Sequence, residues 1–331
     1  MKKKVLLIGG AGYVGSELTK LLISNNFHVT IYDLFLFSPI KEYTASDALT
    51  LIKADIRNTD YLIQVSENHD YIIYLACISN DPSFDLNPML GKSINYIAFK
   101  NYLELFNFKN CKRFIFASSS SVYGVSNLAH VNEKAPLNPL TDYSYFKLEC
   151  EKLIQHYIPD TTIWTIIRPA TVCGLSQRLR LDVVVNILTH FAVKKEQIKV
   201  FGGDQKRPNI HIKDMTQVYL HLLKSEAFQV NKKIFNVGCE NLTVSSIAQK
   251  VAQECKTKKI ETVPTDDNRS YHICSKSFTD DTGFTYQYTT SDAIKELRVF
   301  LNNSNKDFFK DTSYFNVQHL NKALATKVLS C

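Results

Sequence analysis

The sequence predicts an α/β protein: a doubly wound parallel sheet followed by a smaller mixed α/β lobe. Short apolar runs recur at 5–8, 29–32, 71–75, 113–117 and 163–167, the mark of parallel strands covered on both faces. Helical periodicity falls between them at about 58–67, 95–107 and 143–157, so strand and helix alternate as a parallel sheet requires. After Pro169 that alternation loosens. With 331 residues the chain also exceeds what one hydrophobic core usually organises, which favours two lobes.

Taken in order, the first run ends in Gly9-Gly10-Ala11-Gly12-Tyr13-Val14-Gly15, and Leu18, Leu21 and Leu22 then follow at helical spacing. That is a strand, a tight turn and a helix. The second run ends at Asp33, and the fourth runs into Ser118-Ser119-Ser120-Ser121. Beyond a polar loop at 174–180 the pattern predicts a helix over 182–193, a strand over 198–201 and helices over 213–225, 244–255 and 290–300, the last two capped by Thr243 and Ser291. The expected division is 1–170, with 211–237 returning to it, against 171–210 with 238–300. Residues 301–331 form an extension that is either an oligomer contact or a tail packed on the lobe. No internal repeat or linker-like segment is visible.

Composition excludes several classes. With 45% hydrophobic and 21% charged residues the chain is neither fibrous nor disordered. The net charge of +7 is spread without a basic cluster, so it suits an anionic small molecule and does not specify nucleic acid. The eight cysteines form no C-x-x-C pair and read as reduced thiols. The basic start, Met1-Lys2-Lys3-Lys4, precedes only four apolar residues, and no 18-residue apolar stretch exists. A cytoplasmic protein with no membrane partner is expected. Lone His211 has no partner at metal spacing, so a structural hydrogen bond is expected and no metal site.

The Gly9 to Gly15 turn lets a pyrophosphate approach the backbone at a helix N-terminus. Asp33, after the second strand, suits the two hydroxyls of an adenosine ribose and repels a 2′-phosphate, which favours NAD over NADP. This makes the first lobe Rossmann-type. Tyr143 and Lys147 stand at i and i+4, one face of a helix. Tyr96 and Lys100 repeat that spacing, but only Tyr143 follows a Ser-rich strand end and a loop bounded by Pro136 and Pro139. Tyr96 is therefore read as a helix-surface residue.

These segments, together with Ala54-Asp55-Ile56, Tyr74-Leu75-Ala76, Asn95, Ser118 to Gly124, Arg168-Pro169-Ala170-Thr171-Val172-Cys173-Gly174, Arg207-Pro208-Asn209-Ile210-His211-Ile212-Lys213-Asp214, Phe235-Asn236-Val237-Gly238 and Thr282-Gly283-Phe284, stand in the order found in the extended short-chain dehydrogenases/reductases. Over about residues 3–300 the chain resembles the NAD-dependent nucleotide-sugar epimerase/dehydratase family. The resemblance implies that Gly9, Gly12, Tyr13, Val14 and Gly15 hold the pyrophosphate, Asp33 the ribose, and Asp55 and Ile56 the adenine. Leu75, Ala76, Asn95 and Pro169 complete the cofactor contacts.

It further implies that Tyr143 is the catalytic base, that Lys147 binds the nicotinamide ribose and lowers the tyrosine pKa, and that Ser119 bonds the reacting sugar oxygen. Free tyrosine, with a pKa near 10, needs about 4 kcal/mol of preferential phenolate stabilisation to act near neutrality. Ser120, Ser121, Thr171, Arg178, Arg180, Arg207 and Arg269 are the expected substrate contacts, the arginines for a diphosphate. As lone arginines, Arg207 and Arg269 are equally readable as surface residues.

Departures narrow the reading. Ser120 and Ser121 occupy the place of the acidic pair of the family's 4,6-dehydratases, which argues against dehydration. Thr171 and Cys173 replace the Asn and Tyr common in 4-epimerases. The 176–186 stretch is similar to a subgroup including C4 dehydrogenases of GDP-heptoses. The expectation is NAD-dependent hydride transfer at C4 of a nucleotide-diphosphate sugar, with epimerisation ranked before dehydrogenation or 4-keto reduction, and a non-catalytic NAD-binding role more remote. A homodimer built on the helices after Asn95 and Tyr143 is expected, with Phe99, Leu103 and Phe106 readable either as its face or as core. The family's usual setting is polysaccharide sugar supply.

Overall fold

A computed structural model describes residues 2–44, 46–126, 128, 130–265 and 270–329. In chain order come β1 (Lys4–Ile8), α1 (Tyr13–Ser24), β2 (His28–Asp33), β3 (Leu49–Lys53), α2 (Thr59–Ser66) and β4 (Tyr71–Tyr74). A broken helical stretch follows: α3 (Asp81–Phe84), α4 (Pro88–Lys92), a π turn (Ser93–Ile97) and α5 (Ala98–Leu105). Then come β5 (Arg113–Ala117), α6 (Asp142–Tyr157), β6 (Ile163–Pro169), β7 (Thr171–Cys173), α7 (Val184–Lys195), β8 (Gln197–Phe201), β9 (Lys206–His211) and α8 (Ile212–Lys224). The chain finishes with α9 (Ala227–Val230), β10 (Lys233–Val237), β11 (Glu240–Thr243), α10 (Val244–Cys255), β12 (Lys259–Val263), α11 (Lys276–Thr282), α12 (Thr290–Asn302) and α13 (Asn316–Ala325).

Seven parallel strands pair in the order β3-β2-β1-β4-β5-β6-β10. Successive residues of a strand face opposite sides. Val5 and Leu7 accordingly join Leu18 and Leu22 of α1 and Val218 and Leu222 of α8, while Leu6 and Ile8 join Phe99 and Leu103 of α5 and Ile154 of α6. Chain order reverses between β1 and β4, and such a switch point opens a crevice at the strands' C-terminal ends. The glycine turn, the end of β4 and the serine run after β5 all emerge there.

β10 returns to the sheet beside β6, with Phe235 opposite Ile167. Beyond the sheet, β11-β9-β7 and β12-β8 form two small sheets, and Val185, Leu188, Ile198, Val200, Ile247 and Ile294 make a separate core with α7, α10 and α12. The C-terminal extension packs on its own chain. Phe308 and Phe315 share a cluster with Leu179, Leu181, Leu297 and Leu301, while Leu320 and Ala323 of α13 join the core of the main sheet.

The structure decides some readings and corrects others. Of the two readings of Phe99, Leu103 and Phe106, core holds: all three are buried among the chain's own residues. α12 starts at residue 290 as read, but its cap is Thr289 and not Ser291: the Thr289 hydroxyl accepts from the Asp292 amide at 3.3 Å, while Ser291 accepts from Lys250. β3 escapes the pattern because it is a half-exposed edge strand pairing only with β2, and Pro208 argues against a strand where β9 runs. His211 caps α8, its Nδ1 accepting from the Lys213 amide at 3.1 Å. Among the described residues no helix is long and apolar enough to cross a membrane.

Candidate active site

One cleft of about 700 Å³ runs across the C-terminal ends of the strands and under the second lobe. Gly9, Gly12, Tyr13, Val14, Gly15, Asp33, Asp55, Ile56, Leu75, Ala76 and Pro169 line it, as do Ser119, Ser120, Ser121, Tyr143, Lys147, Thr171, Arg178, Arg180 and Arg207. Asn95 does not line it. That residue is buried, its Oδ1 accepting from the Ile78 amide at 2.8 Å and its Nδ2 donating to the Ile78 carbonyl at 3.0 Å. The π turn aims it at the loop after β4, so Asn95 shapes the cleft wall and the expected direct contact is corrected. Arg269 lies outside the described residues.

The dinucleotide end fits its expected occupant on a steric test. A Cβ at Gly9, where φ is +84°, would stand 2.5 Å from the Ala76 backbone, and one at Gly15 would stand 2.5 Å from the Gly10 carbonyl. Those two glycines are demanded by the chain itself. A Cβ at Gly12 would meet nothing nearer than the Gly9 carbonyl at 3.6 Å, so the fold leaves that space open on the cleft side. Asp33 braces the turn: its carboxylate accepts from the Ala11 amide at 2.9 Å and the Phe35 amide at 2.8 Å. Burial pushes its pKa up, against these amides and the nearby Arg178 charge.

Tyr13 turns its side chain away from the turn, its hydroxyl donating to the Gly174 carbonyl at 2.6 Å and accepting from Asn186 at 3.0 Å. Its side chain therefore ties the turn to the 174–186 loop, leaving main-chain atoms toward the cleft. Asp55 is held by Arg57, with contacts down to 2.6 Å that keep the carboxyl below its usual range against the opposing effect of burial.

At the other end, α6 positions Tyr143 and Lys147. Thr141 and Ser144 form a reciprocal cap, each accepting from the other's amide, and this sets where the helix begins. Tyr143, Lys147 and Glu151 then fall on one face. Lys147 is buried, donates to the Ala117 carbonyl at 2.7 Å and places its ammonium 5.9 Å from the Tyr143 ring centre. Two ammonium protons remain for other acceptors. Burial pushes the Tyr143 phenol well above its ordinary range, reinforced by Cys77, Asp81 and Tyr271 and opposed by Arg180. Ser119 accepts from the Ser121 amide at 3.1 Å, and their hydroxyls lie 2.8 Å apart.

Glu151, which the sequence reading missed, supports this arrangement. It accepts from Ser118 at 2.5 Å and pairs with Arg168 through bonds of 3.0 and 2.7 Å, and Arg168 donates to the Tyr123 hydroxyl at 2.8 Å. The i, i+4, i+8 spacing from Tyr143 was the available signal. Cys77, Ser79 and Asp81 also line the cleft and were missed, as were Phe37 and Asn316. None of these stands in a recognisable motif. Arg207 lies over the Tyr271 ring at 5.7 Å, whereas Cys173 sits in the second lobe's core.

The family model described as the NAD dependent epimerase/dehydratase family matches residues 5–238. A putative UDP-glucose 4-epimerase of Methanocaldococcus jannaschii is 28% identical over 239 residues, 71% of this chain and 76% of the relative. The UDP-glucose 4-epimerase of Lactobacillus helveticus is 25% identical over 270 residues, 75% of this chain and 81% of the relative. Among solved structures, UDP-glucuronic acid 4-epimerase from Bacillus cereus, in complex with UDP-glucuronic acid and NAD, superposes with a TM-score of 0.79 at 22% identity, covering 90% of this chain and 98% of that one. With the model matching most of the chain, the protein belongs to the NAD-dependent epimerase/dehydratase family.

Proposed function

We propose that the chain oxidises a nucleotide-diphosphate sugar at a carbinol carbon, C4, and that epimerisation is the net reaction. The observation that carries this reading is the convergence of Tyr143, Lys147 and the Ser119–Ser121 hydroxyls in the same cleft as the glycine turn and Asp33. When bound there, NAD supplies the acceptor for the carbinol hydride and a positive ring. Tyr143 Oη takes the hydroxyl proton as the C–H bond breaks, and Ser119 donates a hydrogen bond to the resulting keto oxygen. Because burial alone favours the neutral phenol, Tyr143 becomes an effective base only with cationic help, and Arg180 and Lys147 are the chain's own cations beside it. Return of the proton from Tyr143 completes the cycle once the keto sugar has turned.

In this reading residues 1–170 and 211–237 hold the cofactor, and 171–210 with 238–300 hold the nucleotide sugar, with Ser120, Ser121, Thr171, Arg180 and Arg207 as contacts. The likeness of the 176–186 stretch to C4 dehydrogenases favours a second reading, release of the keto sugar. A cytoplasmic homodimer is also proposed, on the exposed Ile97, Leu105 and Tyr145 of the π turn, α5 and α6, and supply of sugars for polysaccharide fits either reaction. The test is incubation with NAD and a panel of UDP-, GDP-, dTDP- and CDP-sugars, following reduced nicotinamide and product mass, with Tyr143→Phe as control. An isomer without net reduction of NAD is expected, and the variant should lose at least about a thousandfold in rate while still binding NAD. A product two hydrogens lighter would select the dehydrogenase, and a fully active variant would remove Tyr143 from the chemistry.

A further inference from the structure

Arg178 and Arg180 were expected to grip one diphosphate together, but the structure sends them to different places. Arg180 donates through Nε to Asp182 at 2.8 Å and reaches Ser79 at 3.4 Å, and its charge acts on the Tyr143 phenol. Arg178 turns toward the adenosine side. Its guanidinium lies 4.1 Å over the Phe37 ring, in the segment after β2, and it exchanges charge interactions with Asp33.

Arg178 is only 4% exposed, and the one hydrogen bond its guanidinium makes among the described residues goes to Asn316 Oδ1. Its Nε has no partner at all among them. The nearby carboxylates are committed elsewhere. Asp182 accepts from Arg180 and the Asn316 amide, and Asp33 from the Ala11 and Phe35 amides. A buried guanidinium carries five donors, and leaving most of them unpaired is costly unless an anion completes the site.

The residue that holds Arg178 comes from the C-terminal extension. Asn316 opens α13, its Nδ2 donating to Ser79 at 2.9 Å and its amide to Asp182 at 2.8 Å. One turn on, His319 donates through Nε2 to the Leu36 carbonyl at 2.9 Å and packs on Phe37 with ring centres 5.0 Å apart. The first turn of α13 thus joins the 34–37 segment to the 178–182 loop across the rim of the cleft.

We propose that Arg178 binds a phosphate of the dinucleotide, not of the nucleotide sugar, and that α13, through Asn316 and His319, is a clasp retaining the cofactor. This rests on the reading of the cleft as an NAD site. A clasped cofactor suits a cycle in which the hydride returns to the sugar before anything is exchanged.

The test measures binding, not turnover: NADH by fluorescence, ADP-ribose and the four nucleoside diphosphates by calorimetry, and NADH dissociation by dilution. Arg178→Gln should weaken NADH and ADP-ribose in parallel by about tenfold or more and leave UDP, GDP, dTDP and CDP unchanged. Asn316→Asp, which gives the guanidinium a permanent carboxylate partner, should fold at least as well and also weaken NADH. Asn316→Ala should speed NADH dissociation. A loss confined to the nucleoside diphosphates would return Arg178 to the substrate side. NADH affinity and dissociation unchanged in the Asn316 variants would overturn the clasp even if Arg178→Gln did not fold. Failure of the unmutated protein to bind NADH would instead remove the cofactor reading on which the proposal stands.

Discussion

Gly9 and Gly12 lie three residues apart in one turn, and different things require them. At Gly9 the backbone is in the left-handed region and a side chain would enter the Ala76 backbone, whereas at Gly12 nothing in the chain stands in the way. Gly9→Ala should therefore cost about 2–4 kcal/mol of stability, while Gly12→Ala should unfold at the unmutated temperature and bind NADH about tenfold or more weakly. Thermal unfolding and NADH titration of the two variants check this; a Gly12→Ala protein with normal NADH affinity would mean that the pyrophosphate lies elsewhere. At this scale much was legible in the sequence, because a glycine after a strand and an acid at the next strand end have fixed geometric meaning. Asn95, expected at the cofactor, bonds the Ile78 main chain instead, for a physical reason. Spacing places a side chain on an element, but a π turn aims it in a direction that no periodicity encodes.

Among the elements, α6 holds the pair to which catalysis is assigned by proposal. One face presents Tyr143 and Lys147 to the cleft, and a turn further on Glu151 is locked to Arg168, with both partners at most 2% exposed. Removing one partner of such a pair leaves a buried charge, so Arg168→Met should destabilise by about 3–5 kcal/mol, and adding Glu151→Leu should recover a large part. Urea unfolding of the single and double variants measures both. A single variant as stable as the unmutated protein would show that the pair is not what anchors α6 to β6. The cap of α6 was not read from the sequence although Thr141 and Ser144 stand at capping spacing, and Thr243 was. β3, half-exposed at the sheet edge, and β9, containing Pro208, had too little pattern to be seen.

At the scale of the whole molecule, the extension that the sequence left unplaced binds the two halves of the chain. Its Phe308, Phe309 and Phe315 surround His190 of α7, whose ring stacks on Phe309 at 4.1 Å and whose nitrogens have no partner among the described residues. Burial, with Lys194 and Lys195 adding and Asp307 opposing, pushes the His190 pKa down from 6.5 to about 4. The unfolded chain then takes up the proton first, so this contribution to stability is complete above about pH 6.5 and is lost as the pH falls toward 4. His69 and His211, also depressed by burial, act in the same direction. The melting temperature should fall between pH 7 and pH 5, and His190→Phe should fall less; an identical decline in the variant would exclude His190 as a source.

In the proposed reaction a carbon-bound hydrogen of the sugar moves as hydride between substrate and NAD while Tyr143 handles only the hydroxyl proton. Turnover of a nucleotide sugar in deuterated water, followed by mass spectrometry after back-exchange of the hydroxyls, tests this most directly. A product with no deuterium on carbon is expected, because the migrating hydrogen never meets solvent. Deuterium fixed at the reacting carbon would mean that it is removed as a proton, contradicting the hydride mechanism and with it the role assigned to the NAD cleft.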